Sequence, residues 1–143
     1  MFKDLKENAC YDDETLFELI EASNSGSKLE DSKERLRIAR VDDSYSISGY
    51  FEDKLLIGVI IYHKEGSKLL VDNIGVAEKY RRRGVGRKLV MEIMKATSWD
   101  TMEAECGERS VDFFKGIGFS MKNIGLLTDV KERYRFEMSR TAR

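Results

Sequence analysis

Between Val71 and Lys88 the chain crowds together the residue types that hold phosphate. An apolar stretch, Val71-Asp72-Asn73-Ile74-Gly75-Val76, leads through Ala77-Glu78-Lys79-Tyr80 into Arg81-Arg82-Arg83-Gly84-Val85-Gly86-Arg87-Lys88. The pattern predicts a buried strand, a loop, and a helix whose first turn is rich in glycine and arginine. A helix start leaves its first amide N–H groups unpaired and partly positive, which favours an anion. Gly84 and Gly86 remove side chains where a ligand can approach the backbone. Arg81, Arg82, Arg83, Arg87 and Lys88 put five basic side chains within eight positions. Together these describe a phosphate or pyrophosphate cradle in which backbone amides do most of the holding. The plainer alternative is a solvated helix start.

Two phosphate motifs are excluded. Gly-x4-Gly-Lys-Ser/Thr is absent. A dinucleotide fingerprint requires a third glycine where this chain has Leu89, directly after a strand, whereas residues 77–83 separate Val76 from Gly84. Other groups able to move protons are Glu103 and Glu105, on one side of an alternating strand, and Asp72 in an otherwise apolar run. His63, at a strand end, reads as a surface residue. Cys106 reads as a small buried hydrophobe.

The elements that must position these groups follow from periodicity. Phe2 to Glu7 is a candidate edge strand. From Asp12 or Asp13, which can cap a helix, Leu16, Leu19 and Ile20 recur at helical spacing until Ser23-Asn24-Ser25-Gly26-Ser27. Leu29 to Arg40 reads as a charged surface helix. Tyr45, Ile47 and Phe51, then Leu55 to Tyr62, then Leu69 to Val76 read as three strands in an antiparallel meander. A long helix from about Gly84 carries Val85, Leu89, Ile93 and Val90, Met94 on a broad buried face. Thr101 to Cys106 is a strand, Ser110 to Lys115 a short helix ended by Gly116 and Gly118, and Tyr134, Phe136 and Met138 mark a final strand. Asn123 to Lys131 is left as a loop. Residues 1–143 are expected to form one mixed α/β domain.

Composition narrows the possible roles. With 25 Lys+Arg against 26 Asp+Glu, a formal charge of -1 argues against nucleic acid as the main partner. Hydrophobic residues at 41% supply a core, and the apolar run Leu55 to Tyr62 is too short to span a bilayer. No apolar leader opens the chain, and Cys10 and Cys106 are its only cysteines, so a cytoplasmic, reducing setting is expected. One histidine and two cysteines do not readily build a zinc site, and no metal is expected.

Arg81-x-x-Gly84-x-Gly86 resembles the signature of the GNAT superfamily of acetyl-CoA-dependent N-acyltransferases. Ile74-Gly75-Val76-Ala77-Glu78-Lys79-Tyr80 resembles the strand, loop and tyrosine before that turn. Downstream, Ser110-Val111-Asp112-Phe113-Phe114-Lys115-Gly116-Ile117-Gly118-Phe119 is similar to the family's Ala-x-x-Phe-Tyr-x-x-x-Gly-Phe. The two motifs span roughly residues 69 to 120.

The resemblance implies a mixed, mostly antiparallel central sheet flanked by about four helices. It implies that the backbone of Ile74, Gly75 and Val76 pairs with the pantetheine arm of acetyl-CoA. Arg81, Arg82, Arg83, Gly84, Val85, Gly86 and Arg87 would surround the pyrophosphate, and Phe113 or Phe114 would line the CoA channel. Ordinary core packing accounts for at least two of Phe113, Phe114 and Phe119. The implied activity is transfer of an acetyl group to a primary amine of a small molecule or peptide by direct attack, in a monomer or homodimer. Glu105 is the first choice of base, against the plainer reading of a carboxylate on a solvated sheet face. The chain also departs from the family pattern. Phe114 replaces the tyrosine that often serves as general acid, and Gly107 falls near a frequent asparagine. Those departures motivate an alternative, a non-catalytic acyl-CoA-binding or regulatory module on the same fold.

Overall fold

The computed structural model describes the backbone of residues 1–6, 11–23, 29–106, 111–128 and 131–139. Its strands are β1 (Phe2–Asp4), β2 (Tyr45–Glu52), β3 (Leu55–Glu65), β4 (Lys68–Val76), β5 (Thr101–Cys106), β6 (Ser120–Thr128) and β7 (Lys131–Ser139). Its helices are α1 (Asp13–Ser23), α2 (Leu29–Val41), α3 (Val85–Ala96) and α4 (Val111–Ile117), with a 3-10 turn at Glu78–Tyr80. The strands form one sheet in the order β1-β2-β3-β4-β5-β7-β6. Every neighbouring pair is antiparallel except β4 and β5, which run parallel and are joined through α3. This is the mixed, mostly antiparallel sheet with four helices that the motifs implied.

The continuous apolar run in β3 has a direct cause. The strand is covered on both faces, so alternation is lost. Ile57 and Ile60 enter a core beneath α3 and α4 that holds Leu89, Ile93, Phe114 and Phe119. Leu56, Val59 and Ile61 enter a second core beneath α1 and α2 that holds Leu16, Ile20 and Leu36. Asp12 caps α1, its Oδ1 accepting a hydrogen bond from the Thr15 amide at 2.8 Å. Arg40 of α2 pairs with Asp13 of α1 at 2.6 Å, holding the two helices together.

Three expectations change at the element boundaries. The first strand is confined to Phe2–Asp4, ahead of a turn in which Asp4 Oδ1 accepts from the Lys6 amide at 2.8 Å. The short helix continues through Gly116 to Ile117. Asn123 to Lys131 is mostly not a loop: β6 extends to Thr128 and β7 begins at Lys131. Register shifts between Met121 and Asn123, and between Ile124 and Leu126, break the period-two pattern and hide this strand from periodicity.

Leu89 is fully buried in the core between α3 and the sheet, whereas Met91 on the same helix is 39% exposed. Leu89→Ala should destabilise the protein by about 2–5 kcal/mol, and Met91→Ala by less than about 0.5 kcal/mol. Urea unfolding of both variants checks the difference.

Candidate active site

Strands β4 and β5 are paired only from Lys68↔Thr101 to Val71↔Ala104. Beyond that point β5 continues to Cys106 alongside β7, and β4 continues to Val76 alongside β3. Among the described residues, the β5-facing edge of Asp72 to Val76 therefore has no strand neighbour. Peptide groups along a strand point alternately to its two sides, so part of this stretch presents N–H and C=O groups to the gap. A bulge coincides with the parting. Ile61 pairs with Asn73 and Tyr62 with Val71, leaving Asp72 as the extra residue on β4.

The basic turn lies at the far end of β4. Arg81 Nε donates to the Val76 carbonyl at 3.1 Å and ties the loop back to the strand. Arg82 (φ 64°) and Gly84 (φ 82°) take left-handed conformations that bend the chain into α3. Among the described residues no side chain caps α3, and its first turn holds no acidic residue to offset the positive amide end. The Arg83 guanidinium stacks over Tyr80, 5.4 Å from the ring centre, and the Lys88 ammonium lies 5.3 Å from the Tyr50 ring centre. Arg82 and Arg87 are exposed.

The two glycines have different roles. A Cβ on Gly84 would meet nothing within 4 Å, so its requirement is its positive φ. A Cβ on Gly86 would lie 2.7 Å from the Phe113 ring, so the missing side chain is filled by protein rather than left open for a ligand. Phe113 in turn meets Phe114 edge-on at 5.0 Å, and Phe114 meets Phe119 at 5.4 Å. Phe114 and Phe119 are buried in the core, while Phe113 is half-buried against it.

On the α2 side of the parted strands is a cleft of about 310 Å³, lined by Arg35, Tyr45, Leu70, Asp72, Glu103 and Ala104 among others. Glu103 pairs with Lys68 at 2.9 Å. Asp72 Oδ2 meets His63 Nδ1 at 2.6 Å, and His63 Nε2 meets Glu65 at 3.1 Å. Tyr45 stacks on the imidazole with ring centres 4.5 Å apart. His63 is therefore not the surface residue its place near a strand end suggested, since only 12% of its side chain is exposed. Burial opposes its charge, but the hydrogen bonds its ring N–H groups donate to Asp72 and Glu65 outweigh that, and its pKa is raised. Burial also pushes the Asp72 carboxyl up, against the opposing pull of His63 and Arg35. Among the described residues, no group of three or more His, Cys, Asp or Glu is placed to hold a metal.

Residues 11–119 match the sequence profile of the acetyltransferase (GNAT) family. The chain belongs to the GNAT acetyltransferase family. A curated relative, the PanD regulatory factor of Salmonella typhimurium, is 30% identical over 91 residues, covering 59% of this chain and 72% of that protein. Two solved structures share the fold. A GNAT-family protein from Desulfovibrio desulfuricans superposes with a TM-score of 0.77 at 15% identity, over 97% of this chain and 98% of its own. A GNAT acetyltransferase from Elizabethkingia anophelis with acetyl-CoA bound superposes with a TM-score of 0.72 at 15% identity, over 97% of each chain.

Within this GNAT fold, Ile74, Gly75 and Val76 lie on the parted stretch of β4, and Arg81 to Arg87 form the turn at its end. Glu105 stands in β5 opposite Arg135, and its side chain lies outside the described ones, as do the side chain of Cys106 and residues Gly107 and Ser110. Sequence reasoning weighed Asp72, Glu103 and His63 but did not join them, and it missed Arg35 and Tyr45. Asp72 offered a signal, as a carboxylate in an apolar run. Arg35 offered none among the many charges of α2.

The chain holds a single histidine, so its titration can be read directly by NMR. His63 holds its proton to higher pH in the folded state than in the unfolded one. The stability it contributes is full below about pH 6.5 and is lost as pH rises through the folded-state value. Asp72→Asn should lower the His63 pKa and flatten that limb of the stability profile. An unchanged imidazole titration would refute the pairing.

Proposed function

We propose that this GNAT-family protein, as one domain over residues 1–143, transfers an acetyl group from acetyl-CoA to a primary amine by direct attack. The observation that carries this reading is the parting of β4 and β5 beyond Val71 and Ala104, with the basic turn at one end and the cleft beside it. In it, the backbone of Ile74, Gly75 and Val76 supplies strand-like partners to the pantetheine arm. The amides and side chains of Arg81, Arg82, Arg83, Gly84, Val85, Gly86 and Arg87 hold the pyrophosphate, and Phe113, which packs against Gly86, lines the CoA channel. The acetyl-CoA-bound relative from Elizabethkingia supports the ligand. The two cysteines suit a reducing, cytoplasmic setting.

The bound thioester would supply an electrophilic carbonyl and a thiolate leaving group. The protein must then do three things. It must take a proton from an amine whose pKa is near 10, and Glu105 is the proposed acceptor because Glu103, two residues earlier on β5, lines the cleft. It must offer an N–H to the oxygen that becomes negative as the N–C bond forms, a role assigned to the β4 backbone. It must also tolerate departure of the thiolate as the C–S bond breaks. Phe114 has no hydroxyl to donate, but a thiolate with a pKa of about 8.5 leaves without prior protonation.

A second reading, a CoA-binding regulatory module without transfer, is favoured by Phe114 and by the name of the Salmonella relative. Calorimetry with acetyl-CoA and thiol release over a panel of amines separate the two. Arg82→Glu with Arg87→Glu should weaken acetyl-CoA binding at least about tenfold, less at high salt. Glu105→Gln should lower turnover at neutral pH while leaving that binding intact. Binding without thiol release from any amine would favour the regulatory module. Absence of binding at millimolar ligand would overturn both.

A further inference from the structure

The charges lining the cleft do not cancel evenly, and the imbalance indicates what enters. Asp72 faces the cleft from β4, with its Oδ2 held by His63. Its Oδ1 has no hydrogen-bond partner among the described residues. Glu103 faces the cleft from β5, with its charge met by Lys68 at 2.9 Å. Across from both, α2 contributes Arg35. Its neighbours on α2 are paired, Arg37 with Glu34 and Arg40 with Asp13, each at 2.6 Å. Arg35 has no ion pair among the described residues. The cleft thus presents a carboxylate with one free oxygen at the parting of the strands and, on the opposite wall, an exposed guanidinium that has no ion pair among the described residues and attracts Asp72 across the opening. Ile38, Ile61 and Leu70 supply apolar surface to the lining.

From this arrangement we infer that the acceptor is a small amino-carboxylate, its ammonium directed to Asp72 and its carboxylate to Arg35. The inference rests on the acetyltransferase reading for its chemistry and on the cleft for its selectivity. A diamine or polyamine would bring its second cation against Arg35, where like charges repel. A neutral amine would gain nothing from the guanidinium. A carboxylate suits it, because the planar fork of Arg donates to both oxygens at once. The direction also follows. Asp72 immediately succeeds Val71, the last β4 residue paired with β5, so the amine end lies where the strands open. About 310 Å³ is at the small end of ligand cavities, which suits one amino-acid-sized molecule better than a folded protein surface.

The test is thiol release from acetyl-CoA with amino acids of graded length, each matched to its carboxamide and its decarboxylated amine. The wild type should prefer the carboxylate-bearing member of the best pair by about 10- to 100-fold in kcat/KM. Arg35→Ala should collapse that ratio to near unity, Arg35→Lys should keep part of it, and Arg35→Glu should invert it toward the amine lacking a carboxylate. Equal use of both members by the wild type, or a ratio unmoved in Arg35→Ala, would overturn the inference while leaving the transferase reading intact. If no amine releases thiol, the transferase reading fails instead, and the cleft is tested by calorimetry of the same amino acids against CoA-loaded protein. Heat that vanishes in Arg35→Ala then upholds the site, and absence of heat at tens of millimolar removes it.

Discussion

The structure turns on four residue pairs. Lys68 to Val71 of β4 bond Thr101 to Ala104 of β5, and then the strands part. Backbone N–H and C=O groups require partners, and a gap inside a sheet leaves a row of them facing one another across open space. Most folds close such a gap with another strand or a covering loop. Here β5 continues beside β7 instead, and among the described residues β4 has only β3 beside it over residues 72–76. The bulge at Asp72 strengthens the local twist and starts the divergence where it is needed. An extended ligand with amide groups of its own is the natural occupant of such an opening.

The elements around the gap fix the basic turn at its far end. Helix α3 is anchored by Leu89, Val90 and Ile93 in the core, so its amide end is fixed relative to β4. The bend that brings it there depends on left-handed backbone at Arg82 and Gly84, and on the tie from Arg81 to the Val76 carbonyl. Gly86 extends the linkage to the second motif. Because Phe113 occupies the space its side chain would fill, the basic turn and α4 pack together, and α4 reaches the core through Phe114, which meets Phe119 just beyond the helix. The two sequence motifs are thus in contact as well as in order.

That contact explains why so much was legible. Motifs placed on a strand, a turn and a helix are local, and local patterns fixed the meander, α3 and the basic turn that leads into it. The β3 run was readable because burial on both faces writes itself into composition. What escaped detection was non-local. His63 and Asp72 meet across two strands only because the bulge shifts the register, and nothing in the spacing of nine residues announces it. Arg35 and Glu103 come to the same cleft from elements far apart in the chain, and a charged residue in a helix of charged residues carries no mark of what it will face. Strand β6 was lost for a different reason, two register shifts within nine residues.

The cleft itself bears on which role the fold serves. A module that only held acyl-CoA would need the gap and the basic turn, both of which lie at the β4 edge and the start of α3. It would have no need of ionisable groups withdrawn from water on the other side of the sheet. Burying them is costly, since a charge loses hydration that a partner only partly restores. Yet His63 is mostly covered, Glu103 is nearly so, and Asp72 is raised by burial while the imidazole pulls it back. Each is held by a specific partner, and each of those partners leaves the cleft open rather than filling it. Such expense is understandable where protons and charged substrates must be handled close to the opened strands. In the proposed reading, this withdrawn cluster of His63, Asp72 and Glu103 is what transfer chemistry would use and CoA binding alone would not.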